Sequence, residues 1–450
     1  MFNLILAHDL NNGIGKNNAI PWHFSEDMNY FKKLTTLNLY DDKNIVIMGR
    51  KTHQSIPNNF LKDRINIVIS KTVKGTTKNN LYYIDNFENA LEFANNLNKR
   101  NTKKIWIIGG ATIYNIALKH RELNKIYRTL VNQKFECDTF CKIPNYTIEN
   151  RITKNTLYFD TLKLNKNVEY QYLDLLEDVF KNGTLRETRN GKTFSMFSKE
   201  LNFDVGNNFP LLTTKKMFLR GIIEELLFFI RGDTNTKLLS DKKIKIWEGN
   251  TSKEFLSKSK LNYNEGEMGP MYGYQWRYFN KPYNCNTKEK GIDQLSNLIE
   301  EIKTNPSSRR LLMTDFNPAQ VNEGVLYPCH SLILQFYVDG NYLSVKMYQR
   351  SADLFLGLPF NIASTTLLLY IIAKLTDLNP KNVCITLGDC HIYEEHIEQV
   401  KTQLKRIPYE LPTMDIPNFK NLDKVCKSIN EDYKLENYNH HTGIKAQMIA

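Results

Sequence analysis

Short apolar runs and amphipathic stretches alternate along the first third of the chain. The runs at 2–7, 44–48, 66–70 and 104–108 have the length and continuity of buried strands. Apolar residues recur at helical spacing in 26–34, 87–97 and 111–119. Strands alternating with helices predict an α/β domain with a largely parallel central sheet. The run at 155–164 reads as its last strand, and a fresh helical pattern opens at 168–180. Between them Asn165-Lys-Asn-Val168 is the only linker in sight, so the expected division is 1–165, a short linker at 166–168, and 169–450. The second part is less regular. A helix is predicted at 219–230, a hairpin from 331–338 and 342–348 around Asp339-Gly340-Asn341, and a long apolar helix at 362–375, an α+β mixture.

Two features narrow the class. The apolar stretch at 222–230 is broken by Glu224 and Glu225, and 367–373 contains Tyr370, so neither approaches the roughly 20 residues of a membrane helix. The apolar start, 1–7, lacks a basic flank and reads as a strand rather than a signal peptide. The seven cysteines contain no C-x-x-C pair, which argues against a disulfide scaffold or zinc ribbon, and no metal site is expected. Sparse cysteines point to a reducing, cytoplasmic setting.

Charge adds a third clue. The net +12 is uneven: residues 1–165 hold 24 basic against 14 acidic residues, net +10, whereas 166–450 hold 36 against 34, net +2. Nucleic acid is the first reading of a basic chain, but no basic tail exists, and small polyanions such as phosphorylated cofactors fit as well.

The candidate chemistry of the first part begins at 21–33. Pro21 and Ser25 mark a helix entry, with Ser25 the expected N-cap. Asp27 then shares a face with Phe31 and Leu34. A first-turn Asp is also what the helix dipole favours. A lone carboxyl on an apolar face can, in addition, assist protonation of a heterocycle. Strand-to-helix junctions at Met48-Gly-Arg-Lys-Thr52 and Ile108-Gly-Gly110 offer backbone amides, with Arg50 and Lys51, to an anion. Neither matches G-x-G-x-x-G.

Together Ile14-Gly15, Asn18-Ala-Ile-Pro-Trp22, Asp27, Met48-Gly-Arg-Lys-Thr52 and Ile108-Gly-Gly110 stand in the order and spacing of the dihydrofolate reductase family, which residues 1–165 resemble. The resemblance implies hydride transfer from NADPH to dihydrofolate. Asp27 would be the acid of the pterin pocket and Thr129 its hydrogen-bonding partner. Ile5, Met28, Phe31, Ile56, Leu61, Ile108 and Tyr114 would line that pocket, and Arg64 would grip the glutamate tail. On the cofactor side the resemblance implies Ala7, Ile14, Gly15 and Thr52. Arg50, Lys51, Ser70 and Lys71 would serve the phosphates, and Gly109, Gly110, Ala111, Thr112 and Ile113 the pyrophosphate turn. Ala111 and Lys71 depart from the glycine and small polar residue common in the family.

In the second part Cys329 is followed by His330, which tempts a protease reading. Adjacent strand residues point to opposite faces, so His330 is poorly placed as its base. Tyr348-Gln-Arg-Ser-Ala-Asp353, one strand away, brings Arg350, and a nearby guanidinium is expected to lower the thiol pKa and supply thiolate. Arg309-Arg310 adds a second cationic pair suited to phosphate. Asn361, donor and acceptor at once, can read an edge such as that of uracil. His391 and Tyr393 share one side of an extended segment and can hold a sugar hydroxyl.

Phe209-Pro-Leu-Leu-Thr-Thr214, Gly269-Pro-Met-Tyr-Gly273, Gln275-Trp-Arg277, Ser308-Arg-Arg310, Pro328-Cys-His330, Gln349-Arg-Ser351 and Gly388-Asp389 make 170–450 resemble the thymidylate synthase family. That resemblance implies a large mixed sheet and methylation of dUMP by 5,10-methylenetetrahydrofolate, with Cys329 adding to C6 of the nucleotide. Glu225 and Tyr272 would handle protons. Arg189, Arg350 and Ser351 would bind the phosphate, with Arg309 and Arg310 reaching it across a homodimer interface. His330, Gln349, Asp353, Asn361, His391 and Tyr393 complete the implied nucleotide site. Trp247, Asp353, Gly357 and Ala450 are the implied folate contacts. Asn250 stands where many members carry a second Trp. A nucleotide hydroxymethylase on the same fold, and an RNA-binding chain with one half retired, are the alternatives. Asn361 opposes a cytosine substrate, and the joint presence of Asp27, Cys329, Glu225, Arg350 and Asn361 opposes a retired half.

Overall fold

The computed structural model describes residues 1–449 apart from 39, 41, 74, 78–79, 145, 165–166, 260 and 284–289, with the backbone alone at 75–77. It divides into two compact units, Met1–Lys166 and Asn167–Ala450. Of the linker predicted at 166–168, Lys166 lies outside the described residues; Asn167 and Val168 lead directly into the helix Glu169–Asn182.

The first unit is built on a nine-stranded sheet. Across the sheet its strands run Tyr146–Lys154, Leu157–Leu164, Leu123–Val131, Phe2–His8, Ile105–Ile107, Ile45–Gly49, Ile65–Ile69, Leu81–Ile84 and Gly75–Thr77. The pairs from Leu123–Val131 through Leu81–Ile84 are parallel, and the edges are antiparallel. Strand alternation explains why the central runs are apolar throughout. Leu4, Ile45, Ile47, Ile67 and Ile107 fill one core, while Ile5, Val46, Met48, Val68 and Trp106 fill another. Asn86 caps the helix Phe87–Leu97 by accepting a bond from the Asn89 N–H at 2.8 Å.

Two expectations change here. Ser25 is the first residue of the helix Ser25–Thr36, not its cap. Phe24 occupies the cap position without a side-chain bond, and the Ser25 hydroxyl donates to Glu26 at 3.1 Å. The strand Leu123–Val131, absent from the apolar pattern, is interrupted by a buried Arg128. That charge is tolerated because Asp160 on the neighbouring strand accepts from its Nε at 3.0 Å and the Tyr146 hydroxyl from its Nη1 at 2.7 Å.

The second unit carries a six-stranded mixed sheet ordered Thr184–Thr188, Gly191–Asp204, Asn379–Tyr393, Tyr342–Asp353, Ile333–Asp339, Leu312–Met313. Only Tyr342–Asp353 and Asn379–Tyr393 pair in parallel, and the helix Gly357–Leu375 links them. This helix is longer than predicted, because Pro359 near its start costs no hydrogen bond there. At 19 residues it does reach the length and apolarity of a membrane span, contrary to the expectation above; its apolar window is 83% buried inside the unit. One sheet face packs on that core through Leu334, Phe336, Val345, Met347, Val383 and Ile385. The other face leaves Leu312, Ile333, Tyr337 and Tyr348 exposed.

Candidate functional sites

In the first unit, Asp27 is buried on the helix Ser25–Thr36 and hydrogen-bonded to the Thr129 side chain. Burial pushes its carboxyl above the usual range, and the Thr129 bond only partly opposes this. Thr129 lies opposite Ala7 in the sheet register, two pairs along from Ile5 and Tyr127 on the same two strands. Ile5, Phe31, Ile56, Leu61 and Ile108 pack in a single cluster, as expected of one pocket wall. Met28, expected beside them, is half exposed. Tyr114 belongs to the other core and donates its hydroxyl to the Ile5 carbonyl at 2.8 Å. Arg64 is buried above the Phe31 ring, 6.0 Å from its centre, and donates to Thr35 at 2.8 Å and to the Lys62 carbonyl at 2.9 Å.

The anion-binding candidates lie at the ends of the parallel strands. Arg50 reaches the Thr72 hydroxyl at 3.4 Å, and Ser70 sits 3.4 Å from that hydroxyl. Lys51, Lys71 and Thr112 are exposed. Gly49 N–H donates to the Gly109 carbonyl at 2.7 Å, joining the two junctions. Ile113 packs against Gly49, and Thr52 Oγ1 lies 3.2 Å from where a side chain on Gly110 would start. Ala111 opens a helix, Ala111–Ala117, whose first turn has no side-chain cap and so keeps free amides for an anion. Ala7 packs on the Trp22 cluster, while Ile14 and Gly15 belong to the strand Gly13–Gly15. Gly109 has φ +114°, and a Cβ there would meet the Tyr114 ring at 3.0 Å. Gly109→Ala is accordingly expected to cost about 1–3 kcal/mol, read as a lowered melting temperature of the first unit.

In the second unit the Cys329 thiol is 3.4 Å from the Tyr272 hydroxyl. Tyr272 adopts φ +43°, a strained value for a bulky residue. It is held between Phe229, stacked at 5.0 Å, and His330, stacked at 4.5 Å, with Trp247 against it edge-on. Trp247 in turn donates to Glu225 at 2.8 Å. Burial pushes the Glu225 carboxyl up to about 7. Arg350 donates to the Pro328 carbonyl at 3.1 Å and lies over the Tyr327 ring, and its backbone N–H holds the Cys329 carbonyl at 2.8 Å.

The expected acidification of the thiol is not what the site does. Burial raises the Cys329 thiol above its ordinary value, outweighing the Tyr272 bond and Arg350. The strand also begins only at Ile333, so Cys329 and His330 are not alternating strand residues. His330 is a poor base for a different reason: burial pushes it down to about 4 and its ring is stacked.

Gln349 donates to Asn361 Oδ1 at 3.0 Å and so orients an amide whose N–H groups remain available. Register places Ser351 beside Asp389 and Asp353 beside His391. His391 Nδ1 lies 2.9 Å from Asp389, and its ring meets Tyr393 edge-on at 5.2 Å. Asp353 accepts from the Phe355 and Leu356 amides at 2.9 and 3.2 Å, just ahead of Gly357 at the helix start. Arg189 is exposed and donates to Asn190 at 3.1 Å. Arg309 and Arg310 are exposed, and among the described residues no hydrogen bond or ion pair engages either guanidinium. Asn250 is buried. The Gln447 carbonyl lies 2.8 Å from His396 Nε2, which ties the tail down. Ala450 lies outside the described residues.

Three further residues bear on these sites. Thr72 joins Arg50 to Ser70, Asp389 holds His391, and Asp315 is buried with both carboxyl oxygens unpartnered among the described residues. The Arg50–Thr72 contact spans 22 residues and the gap around Asp315 exists only in the packed unit, whereas Asp389 stands two residues from His391, within the Gly388-Asp389 motif.

Comparison with known proteins covers the whole chain. A family model described as Thymidylate synthase matches residues 170–450, and one described as Dihydrofolate reductase matches residues 1–171. The chain is 39% identical to the bifunctional dihydrofolate reductase-thymidylate synthase of Paramecium tetraurelia, covering 99% of this chain and 98% of that one. It is 37% identical to the protein of that name from Leishmania major, over 99% and 95%. With the one from Zea mays it shares 35%, over 99% and 96%.

Proposed function

Because the chain belongs to the bifunctional dihydrofolate reductase–thymidylate synthase family, we propose for each of its two activities the residues described above as the site. The second unit methylates dUMP to dTMP with 5,10-methylenetetrahydrofolate, and the first reduces the dihydrofolate so formed. NADPH, when bound, supplies the hydride of that reduction. The arrangement of Arg50, Ser70 and Thr72 suits a phosphate, and the uncapped first turn of the helix Ala111–Ala117 suits a pyrophosphate, so the residues present fit this cofactor.

In the reductase unit Asp27 holds a proton in apolar surroundings and relays it to the pterin ring, with Thr129 fixing the carboxyl. Ile5, Phe31, Ile56, Leu61 and Ile108 keep water from the ring, and Arg64 pairs with the glutamate tail. In the synthase unit Cys329 adds to C6 of dUMP, which activates C5 to accept the one-carbon unit. Gln349 and Asn361 read the uracil edge, while His391 and Tyr393 hold the sugar. Arg189, Arg350 and Ser351 bind the phosphate. Tyr272 and Glu225 move protons, Trp247, Asp353 and Gly357 meet the folate, and the tail ending at Ala450 closes over it. The observation that carries this reading is one partly buried thiol bonded to a strained tyrosine, beside an oriented amide pair.

A single spectrophotometric run tests both activities. With dUMP and methylenetetrahydrofolate, dihydrofolate should form, and adding NADPH should consume it. Dihydrofolate formation without subsequent NADPH oxidation overturns the reductase half; no dihydrofolate at all overturns the synthase half.

Glu225 gives a pH signature. Its folded value of about 7 lies above the ordinary 4.5, so the carboxyl is part-protonated at neutral pH and can both give and take a proton. The synthase kcat profile should inflect near 7, and Glu225→Gln should remove that inflection and lower kcat by about 10²-fold or more.

The working synthase is a homodimer, joined through the exposed sheet face. That face presents Leu312, Ile333, Tyr337 and Tyr348 to solvent in one chain, and the guanidinium groups of Arg309 and Arg310 are free to reach a second copy's phosphate site. The paired substitution Ile333→Glu with Tyr337→Arg should give monomer mass by light scattering and leave about a tenth or less of the synthase rate. A dimer retained with full rate would remove this assignment. The six described cysteines are unpaired, which fits a cytoplasmic setting. The ligands are small anions rather than nucleic acid, and the chain works without a membrane.

A further inference from the structure

Alternation along the strand Asn379–Tyr393 puts Asp389, His391 and Tyr393 on one face. Ser195 stands opposite His391 on the antiparallel neighbour, and Asp353 beside it on the parallel one. The two oxygens of Asp389 have different partners. Oδ2 accepts from Arg186 Nη1 at 2.7 Å and from the Ser195 hydroxyl at 3.1 Å. These two donors come from separate strands and fix the plane of the carboxylate, which leaves Oδ1 for His391 Nδ1 at 2.9 Å. The bond to His391, more than any other influence, holds the Asp389 carboxyl below its ordinary range, so it is an ionised acceptor. An ionised carboxylate has no hydrogen to give. In the neutral ring the proton therefore sits on Nδ1, and Nε2 keeps a bare lone pair. Among the described residues nothing bonds Nε2, and that atom is not sealed in the core. The ring meets Tyr393 edge-on at 5.2 Å. Burial raises the Tyr393 phenol, which keeps its hydrogen to donate.

Resting on the assignment of His391 and Tyr393 to the sugar of dUMP, we propose that Asp389 is a positioning residue that sets the tautomer of His391, and so makes the sugar subsite demand a group that both donates and accepts a hydrogen bond. The 3′-hydroxyl is the one free hydroxyl on the sugar of dUMP. It donates to Nε2 of His391 and accepts from Tyr393. A fluorine in its place has similar reach but no hydrogen. Nε2 is then left without a partner in a site closed by the substrate, which is how a polar subsite rejects an analogue. Arg186 and Ser195 matter in turn because they keep the carboxylate from turning away from the ring. Asp389 touches no substrate atom and acts through His391.

The test uses the full chain and two nucleotides, dUMP and its 3′-fluoro-3′-deoxy analogue, with dihydrofolate formation as the readout. In the wild type the KM for the fluoro nucleotide should exceed that for dUMP about 30-fold or more, with most of the effect in KM rather than kcat. The amide of Asp389→Asn can give Nδ1 a hydrogen and send the ring proton to Nε2. That variant should raise the KM for dUMP about tenfold and shift the KM of the fluoro nucleotide by less than about threefold, so the preference collapses to a few-fold. Damage to packing alone would weaken both nucleotides alike and keep the ratio, and an unchanged ratio overturns the proposal. A wild type that takes both nucleotides equally also overturns it. Should Asp389→Asn fail to fold, the nitrogen NMR spectrum of the wild type with isotope-labelled histidine decides. The ring that disappears in His391→Gln should be the Nδ1–H form; an Nε2–H or doubly protonated ring overturns the role of Asp389. A wild type that forms no dihydrofolate from dUMP overturns the synthase assignment instead.

Discussion

Cys329→Ser should lower dTMP formation by about four orders of magnitude or more while the same chain goes on reducing dihydrofolate with NADPH. The substitution keeps the shape of the residue, and a hydroxyl can take up the contact with Tyr272 that the thiol makes at 3.4 Å. What it removes is acidity and polarisability. Even the thiol is raised by its burial, and an alcohol in the same place lies far further from ionisation. The reductase core is a separate set of side chains, so its rate is a control for folding within each preparation. The loss is read as absence of dihydrofolate from dUMP and methylenetetrahydrofolate, and as absence of a mass shift on the 321–341 region with 5-fluoro-dUMP. A variant turning over near the normal rate would end the covalent reading.

Asp27→Asn should have the converse effect, lowering dihydrofolate reduction by about 10² to 10⁴-fold and sparing dTMP formation. The sign of the pH dependence is set by burial. Asp27 is raised in the folded chain, so it holds its proton to a higher pH than a free carboxyl, and reductase activity should fall as pH rises through that value. The Asn variant should lose this fall. Stability gives an independent check. With the folded value raised above the unfolded one, the contribution of Asp27 is fully present below the unfolded value and is lost as pH rises through the folded one. At pH 8 the Asn variant should therefore melt no lower than the wild type, which separates lost chemistry from lost folding. A reductase profile unchanged by the substitution would remove Asp27 from the proton path.

How far the sequence carries differs between the two units. Asp27 can be placed on an apolar face because Phe31 and Leu34 follow at helical spacing; Asp27 itself is buried there, and the two apolar residues are partly buried against one core. The parallel core strands were visible because both their faces are covered, which makes them apolar without interruption. Leu123–Val131 was not, because Arg128 reads as a surface charge until Asp160 is known to lie beside it. The hairpin strand Tyr146–Lys154 leaves no mark in the sequence for the opposite reason: it is almost wholly exposed, and an exposed strand needs no alternation. The Cys329 thiol shows a further limit. A nearby Arg350 could be foreseen, but the depth of burial that outweighs it is a property of the packed unit. Asp315 is the extreme case, since nothing in a sequence reports that two oxygens lack partners.

The helix Gly357–Leu375 has a consequence for how the chain is made. Fifteen of its 19 residues are buried, and it packs on Tyr342–Asp353 and on Asn379–Tyr393. The second of these strands leaves the ribosome after the helix does. For that interval the face of this apolar helix that meets Asn379–Tyr393 has nothing to cover it, a binding site for chaperones and a seed for aggregation. Slower synthesis or a cooler host should therefore raise the yield of intact chain more through this one element than through anything in the reductase half.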